Sequence, residues 1–249
     1  MGVVWPRLGN KYGVARESGE RGDGDLSVFM KKLLAVGGAV VAIGVLIGLY
    51  VADWATTQPT AVASSVATPP NSGGTQLTLE TVAAIGPKYE PSHPDWVSYL
   101  VRKNGQWVHS TIYTVPANSI VHVTVYQYDG DSGLRNPFLS QVQGTVGGTE
   151  VVDGKTINSI DPEEASHTFV IPDLGVFVPL PGVAEEAKNQ CEFAPCEGAA
   201  HRTIEFSFKT GKKGRYRWQC FVPCAAGYLD GFGGPMQTLG YMDGFINVV

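Results

Sequence analysis

The stretch IEFSFKTGKKGRYRWQCFVPC, residues 204–224, alternates apolar and polar side chains on both sides of a short turn. In its first half Ile204, Phe206 and Phe208 are separated by polar residues, and the second half alternates in the same way up to Cys220. Successive side chains of a strand point to opposite faces, so the pattern predicts two half-buried β-strands. Cys220 would leave the second strand on its apolar face.

Two further segments have the same period of two residues. Residues 119–128, SIVHVTVYQY, place valines on one face and polar side chains on the other. Residues 151–157, VVDGKTI, are typical of a tight hairpin, because Asp153 and Gly154 tolerate the positive φ that such turns require. With 31 Gly, 16 Pro and only 16% charged residues in 249, the chain is predicted to be mainly β, with many turns between short strands.

Charge and motifs exclude several classes of function. The net charge of -5 comes without a cluster of Lys and Arg, so no nucleic-acid partner is expected. No Ser-His-Asp signature, paired-carboxylate motif or H-E-x-x-H is present, so nothing indicates a hydrolase. Asp129, Asp131 and Gly133 indicate a turn rather than a calcium loop, because no bidentate acid follows at the needed spacing.

An apolar segment near the N-terminus predicts a single membrane span. Residues 33–52 carry no charged side chain, and at about 1.5 Å per residue a helix of this length matches a hydrocarbon core of about 30 Å. Lys31 and Lys32 precede the segment, whereas the next basic residue is Lys88, so the N-terminus is expected in the cytoplasm. A signal peptide cleaved near Ala61 is the alternative, but its apolar run would be unusually long.

These features divide the chain into four parts. Residues 1–32 are expected to form a cytoplasmic tail and residues 33–52 the transmembrane helix. Residues 53–76 are small, polar and interrupted by proline, and predict a flexible stalk. Residues 77–249 would then form one extracytoplasmic domain, held at the cell membrane by a single-pass anchor.

Three stretches of this domain resemble a known family. Residues 113–130 (YTVPANSIVHVTVYQYDG), 166–182 (SHTFVIPDLGVFVPLPG) and 204–224 follow one another, and the chain ends in a short strand, GFINVV. Together they resemble the extracytoplasmic copper domain of cytochrome c oxidase subunit II and, more broadly, the cupredoxin family. The resemblance covers roughly residues 77–249 and implies a cupredoxin-like Greek-key β-sandwich.

The resemblance also implies a metal site. The family's histidine before an I-P-D segment matches His167, and its C-x-x-x-C pair matches Cys220 and Cys224. Met236, in the glycine-rich run that follows, supplies a thioether, and the carbonyl of Val222 is a further donor. Soft thiolate, imidazole and thioether groups suit both Cu(I) and Cu(II), so these residues are expected to bind copper.

The sequence departs from the family where a second imidazole would be. The binuclear site has a histidine four residues after the second cysteine and a methionine three residues later, but this chain has Tyr228 and Gly231 there. Since no histidine follows Cys224, His201 is considered as a substitute imidazole.

The cysteines leave two interpretations open. Cys191 and Cys196 are most simply read as one local disulfide, while Cys220 and Cys224 are either copper ligands or a second disulfide. In the first case the protein transfers electrons in a respiratory chain, with a membrane complex or a small redox protein as partner. It would be a relay rather than a self-contained enzyme, and within an enzyme it would serve a cytochrome c oxidase-like oxidoreductase. The alternatives are a metal-free, disulfide-stabilised accessory or assembly subunit, and a Cu(I) carrier.

Overall fold

The computed structural model describes residues 23–56, 74–89, 96–224, 234–236 and 238–249. A single helix, α1, runs over Asp23–Thr56. Its segment Ser27–Ala52 is long and apolar enough to cross a membrane, and none of the residues in its most apolar window is buried in the protein. The predicted N-terminal apolar helix is therefore confirmed, and α1 extends beyond residues 33–52 at both ends.

The part of the chain after this helix is built from strands. Twelve strands lie among the described residues: β1 (Gly74–Val82), β2 (Ser98–Lys103), β3 (Gln106–Val108), β4 (Ile112–Val115), β5 (Ile120–Gln127), β6 (Glu150–Val152), β7 (Lys155–Ile157), β8 (Ala165–Ile171), β9 (Val176–Pro181), β10 (Arg202–Lys209), β11 (Gly214–Gln219) and β12 (Asp243–Val248).

The strands form two mixed sheets. One has seven strands in the order β3-β2-β1-β5-β10-β6-β7, and the other has five in the order β4-β12-β11-β8-β9. The β1–β5 and β4–β12 pairs are parallel, and the other strand pairs are antiparallel. The hairpin predicted at residues 151–157 is formed by β6 and β7, with φ of 49° at Asp153 and 81° at Gly154. The predicted mainly β fold class is confirmed.

One hydrophobic core lies between the two sheets. The valines of β5 and the aromatic residues of β10 face it from the seven-stranded sheet, as the alternation predicted. Trp218 of β11 lies near its centre, stacked against Tyr113 at 5.6 Å and Phe169 at 5.2 Å between ring centroids. Its indole N–H donates to the carbonyl oxygen of Thr111 at 2.9 Å, so this buried ring also joins β11 to the segment before β4.

Gly244 allows this close approach, and its replacement gives a first prediction. A Cβ at Gly244 would lie 1.9 Å from the Thr111 carbonyl oxygen and 2.6 Å from Nε1 of Trp218. We expect Gly244→Ala to lower the free energy of unfolding by about 2 to 3 kcal/mol, because neither a backbone carbonyl nor a buried ring can move away freely. Urea unfolding followed by tryptophan fluorescence measures this change.

Gly214→Ala is the matched control for this variant. Gly214 lies in β11, and a Cβ there would meet its nearest neighbour, the Tyr216 ring, at an ordinary 3.5 Å. We expect Gly214→Ala to stay within about 1 kcal/mol of the natural protein. Equal stability of the two variants would contradict the close packing around Gly244.

Two of the buried carboxyl groups in the described part of this domain belong to glutamates without a hydrogen-bond partner. Glu80 of β1 is 0% exposed and Glu150 of β6 is 1% exposed, and their carboxyl oxygens have no hydrogen-bond partner among the described residues. Burial raises the pKa of Glu150 to about 8. Burial, and to a lesser degree the charge of Glu197, raise the pKa of Glu80 to about 8, against the opposing effects of Arg102 and Lys88. Both carboxyl groups therefore keep their protons up to a higher pH than an exposed glutamate does.

Candidate metal centre

The site lies where β8 and β11 meet in the five-stranded sheet. Val170 of β8 pairs with Gln219 of β11, which brings the residues before Val170 next to those after Gln219. His167 lies in β8 at an irregularity of the pairing with β9, and Cys220 directly follows β11. The strand pairing therefore carries an imidazole from mid-chain to a thiol near the end of the chain.

His167, Cys220 and Cys224 form a compact cluster. The two Sγ atoms are 3.2 Å apart, and Nδ1 of His167 lies 3.0 Å from Sγ of Cys224 and 3.9 Å from Sγ of Cys220. The three side chains belong to residues that are 2%, 0% and 5% exposed. Their ligand atoms lie within 4.8 Å of one another, so the group could hold a metal ion.

The distances fit a single ion between the three atoms. Metal–sulfur bonds of about 2.3 Å and metal–nitrogen bonds of about 2.0 to 2.1 Å are usual for such ligands. Each pair of donor atoms is closer than the sum of the two corresponding bonds. Two sulfurs and one imidazole form a soft donor set that suits copper.

Two further predicted donors lie beside the cluster. The carbonyl oxygen of Val222 is 3.0 Å from Sγ of Cys224 and 3.6 Å from Sγ of Cys220. Sδ of Met236 accepts a hydrogen bond from the backbone N–H of Cys224 at 3.1 Å. The backbone of Met236 is held in turn, because the side-chain amide of Gln219 donates to its carbonyl oxygen. The structure thus brings His167, Cys220, Cys224 and Met236 into one neighbourhood.

The remaining cysteines and the substitute imidazole lie elsewhere. Cys191 and Cys196 form a disulfide, as predicted, whereas Cys220 and Cys224 are free thiols. His201 is exposed, donates from Nδ1 to the carbonyl oxygen of Ala199, and packs against the ring of Tyr126 in β5 and the ring of Tyr128 directly after it. It does not replace the missing imidazole. Tyr228 and Gly231 lie outside the described residues.

Asp129 is part of the site, although its sequence pattern indicated only a turn. Its Oδ2 lies 2.9 Å from Nε2 of His167, on the side of the ring away from the sulfurs. No local motif reveals this contact, because Asp129 precedes His167 by a long stretch of chain. The only signal in the sequence is an acidic residue two positions after the end of β5.

The charges of this group are coupled. Burial alone would lower the pKa of His167, but hydrogen bonds with Asp129 and Cys220 outweigh it and raise the pKa to about 9. Burial alone would raise the pKa of Cys220, but hydrogen bonds with Cys224 and His167 hold it well below its ordinary value. The hydrogen bond with Cys220, together with burial, raises the pKa of Cys224 well above its usual range. Because ligands bind a metal in their deprotonated form, the raised pKa values of His167 and Cys224 mean that metal binding releases protons.

Comparison with known proteins adds likenesses of fold at low identity. No family model and no curated protein matches the chain. Among solved structures, a heme-copper terminal oxidase dimer is 12% identical, with 88% of this chain and 99% of that chain covered and a TM-score of 0.28. Rusticyanin from Thiobacillus ferrooxidans is 15% identical, over 75% and 87% of the two chains, with a TM-score of 0.27.

Auracyanin B gives a similar result, at 17% identity over 75% of this chain and 96% of that chain, with a TM-score of 0.24. These TM-scores lie well below 0.5. The β-sandwich described above is therefore defined by the sheets and core of the chain itself, and the site by its own geometry.

Proposed function

We propose that this chain is a membrane-anchored cupredoxin-domain protein that binds copper and transfers electrons. The observation that carries this proposal is the buried convergence of one imidazole and two thiols, with a thioether beside them. His167, Cys220, Cys224 and Met236 are the proposed metal ligands, and the carbonyl oxygen of Val222 is an additional donor.

The surroundings of these ligands suit electron transfer. Cys220 accepts a hydrogen bond from the backbone N–H of Thr168 at 3.4 Å, and the Thr168 hydroxyl accepts one from the N–H of Phe221 at 2.8 Å. These bonds tie the thiol loop to β8, so the donor atoms are held by a strand rather than by a free loop. A rigid, buried donor set lets a metal change oxidation state with little rearrangement.

The donor set favours one copper ion over the alternatives. A structural zinc site usually has four nitrogen or sulfur ligands from His and Cys, whereas thioether ligands are typical of copper. The cluster contains a single histidine among the described residues, so we propose one copper ion rather than a pair. The proposed likeness to cytochrome c oxidase subunit II therefore concerns the sandwich and its C-x-x-x-C loop. It does not extend to a binuclear copper site.

The proposed setting is the outer face of a cell membrane. Residues 33–52 would span it, with residues 1–32 in the cytoplasm and residues 53–76 leading to the exported domain at residues 77–249. The disulfide between Cys191 and Cys196 supports an oxidising compartment for this domain. The natural partner would be a respiratory membrane complex or a small redox protein.

Copper loading of the full-length protein in detergent tests the proposal. We expect about one copper ion per chain and a visible thiolate-to-copper absorption band, because the thiolate of Cys220 would bind the metal directly. The band should disappear on reduction and return on oxidation. Metal analysis and absorption spectroscopy measure both properties.

Each other outcome contradicts the electron-transfer role in a different way. Colourless binding of Cu(I) without reversible cycling would favour a copper carrier. Absence of copper together with a complete lack of free thiols would favour a metal-free accessory or assembly subunit.

A further inference from the structure

Both ring nitrogens of His167 face a polar partner. Nδ1 faces the sulfurs of Cys224 and Cys220, and Nε2 faces Oδ2 of Asp129 at 2.9 Å. The side chain of His167 is 3% exposed, whereas that of Asp129 is 29% exposed. Asp129 thus lies between the buried cluster and the surface of the domain.

The carboxylate of Asp129 is itself firmly placed. Its Oδ1 accepts the backbone N–H of Gly130 at 2.8 Å, which leaves Oδ2 to accept from the imidazole. Its carbonyl oxygen accepts the N–H of Val183, two residues after β9, at 2.9 Å. Since both the backbone and the carboxylate are held, the direction of the hydrogen bond to His167 is fixed by the sandwich.

We propose that Asp129 is a positioning residue that holds His167 with Nδ1 toward the two sulfurs and sets the donor strength of that nitrogen. A carboxylate on one imidazole nitrogen fixes the tautomer and the ring orientation, and makes the other nitrogen a better metal ligand. Its negative charge also favours the more oxidised form of a bound metal. The role in metal binding rests on the proposed copper site, whereas the role in holding the ring does not.

Asp131 provides a matched comparison for this residue. It lies in the same loop, is exposed and carries the same charge, but it has no hydrogen bond or ion pair with His167 among the described residues. Burial and the charge of Glu164 raise the pKa of Asp131, a hydrogen bond with the backbone of Gly182 opposes this, and the imidazole is not among the causes. Replacing Asp131 therefore changes the net charge near the site without removing the hydrogen bond to the ring.

The test uses Asp129→Ala and Asp131→Ala in the full-length protein, with Cu(I) competition against a chelator as the first readout. We expect Asp129→Ala to lower copper affinity by about 10- to 100-fold, which is the usual effect of losing a group that hydrogen-bonds to a metal ligand. Asp131→Ala should stay within about twofold of the natural protein, because the ligands and the ring are untouched. Equal affinity of the two variants would overturn the proposal.

A second pair of variants, Asp129→Asn and Asp131→Asn, separates the effect of charge from the effect of geometry. This pair also tests the proposal if Asp129→Ala does not fold. Asp129→Asn keeps an oxygen acceptor of the same size, so we expect it to recover most of the affinity lost in Asp129→Ala. It should still raise the reduction potential of bound copper by more than Asp131→Asn does. Equal potentials for the two asparagine variants would overturn the electrostatic part.

A third measurement is made without metal, so that a failure of the proposed copper site can be distinguished from a failure of the proposed role of Asp129. Nitrogen-15 NMR of the His167 ring should show a proton held on Nε2 in the natural protein and in Asp131→Ala. We expect Asp129→Ala to lose that protected proton and to show exchange between ring states. If the natural protein binds no copper, the proposed function fails, and an unchanged ring spectrum in Asp129→Ala would overturn the positioning role separately.

Discussion

Cys220→Ser is expected to lower the copper affinity of the full-length protein by at least about 100-fold and to abolish the visible absorption band. The Cys220 sulfur is fully buried, 3.2 Å from the Cys224 sulfur, and accepts the N–H of Thr168. A serine hydroxyl stays protonated at neutral pH and is a hard donor, so it cannot replace a thiolate of lowered pKa. Chelator competition and absorption spectroscopy measure the two effects.

The control for this variant removes sulfur at the other cysteine pair. The double variant Cys191→Ser and Cys196→Ser loses the disulfide, whose two cysteines are not part of the cluster. It should retain the absorption band and nearly all of the copper affinity. Closing so short a loop contributes about 2 kcal/mol, so the fold should survive. A band that persists in Cys220→Ser, or disappears in the double variant, would show that the metal is bound elsewhere.

Glu80→Gln is expected to remove a large part of the pH dependence of stability. The pKa of Glu80 rises from 4.5 to about 8 on folding, so the folded state holds the proton more tightly than the unfolded state. Its favourable contribution is complete below pH 4.5, falls as the pH rises toward 8, and is then lost. Between pH 5 and pH 9 this amounts to about 4 kcal/mol, at 1.36 kcal/mol per pKa unit.

Urea unfolding of the detergent-solubilised protein at several pH values between 5 and 9 measures this dependence. Glu80→Gln should be more stable than the natural protein at pH 9 and should show a smaller decline, while Glu150, with its own pKa of about 8, keeps part of the slope. Glu205→Gln, on the exposed face of β10, should leave the slope unchanged. A natural protein whose stability is constant over this range would contradict the burial of an unpaired carboxyl group at Glu80.

The strands and their faces could be predicted because alternation is a local signal. The valines of residues 119–128 and the aromatic residues of 204–224 reach the core as their period indicates. The closing of the hairpin at Asp153 also follows from the turn residues alone. The strand order and the parallel pairing of β1 with β5 join distant parts of the chain, and no local pattern specifies them.

The candidate site likewise contains some residues that the sequence marks and others that it does not. Cys220 and Cys224 are joined by a four-residue spacing, and His167 is marked by the I-P-D segment that follows it, so all three could be selected before their contacts were known. Asp129 and Glu80 were missed, because a turn aspartate and a strand glutamate normally face solvent. Burial of such groups depends on which segments later cover them, which is a tertiary property.

The free thiol pair has a consequence for handling and for assembly in the cell. Two sulfurs 3.2 Å apart need to approach by only about 1.2 Å to form a covalent bond. An environment oxidising enough to keep Cys191 joined to Cys196 also favours that closure, which would withdraw both sulfur ligands at once. In the exported setting proposed above, the domain would therefore have a limited time in which it can accept its metal, and a reductant or a dedicated donor would have to act within that interval.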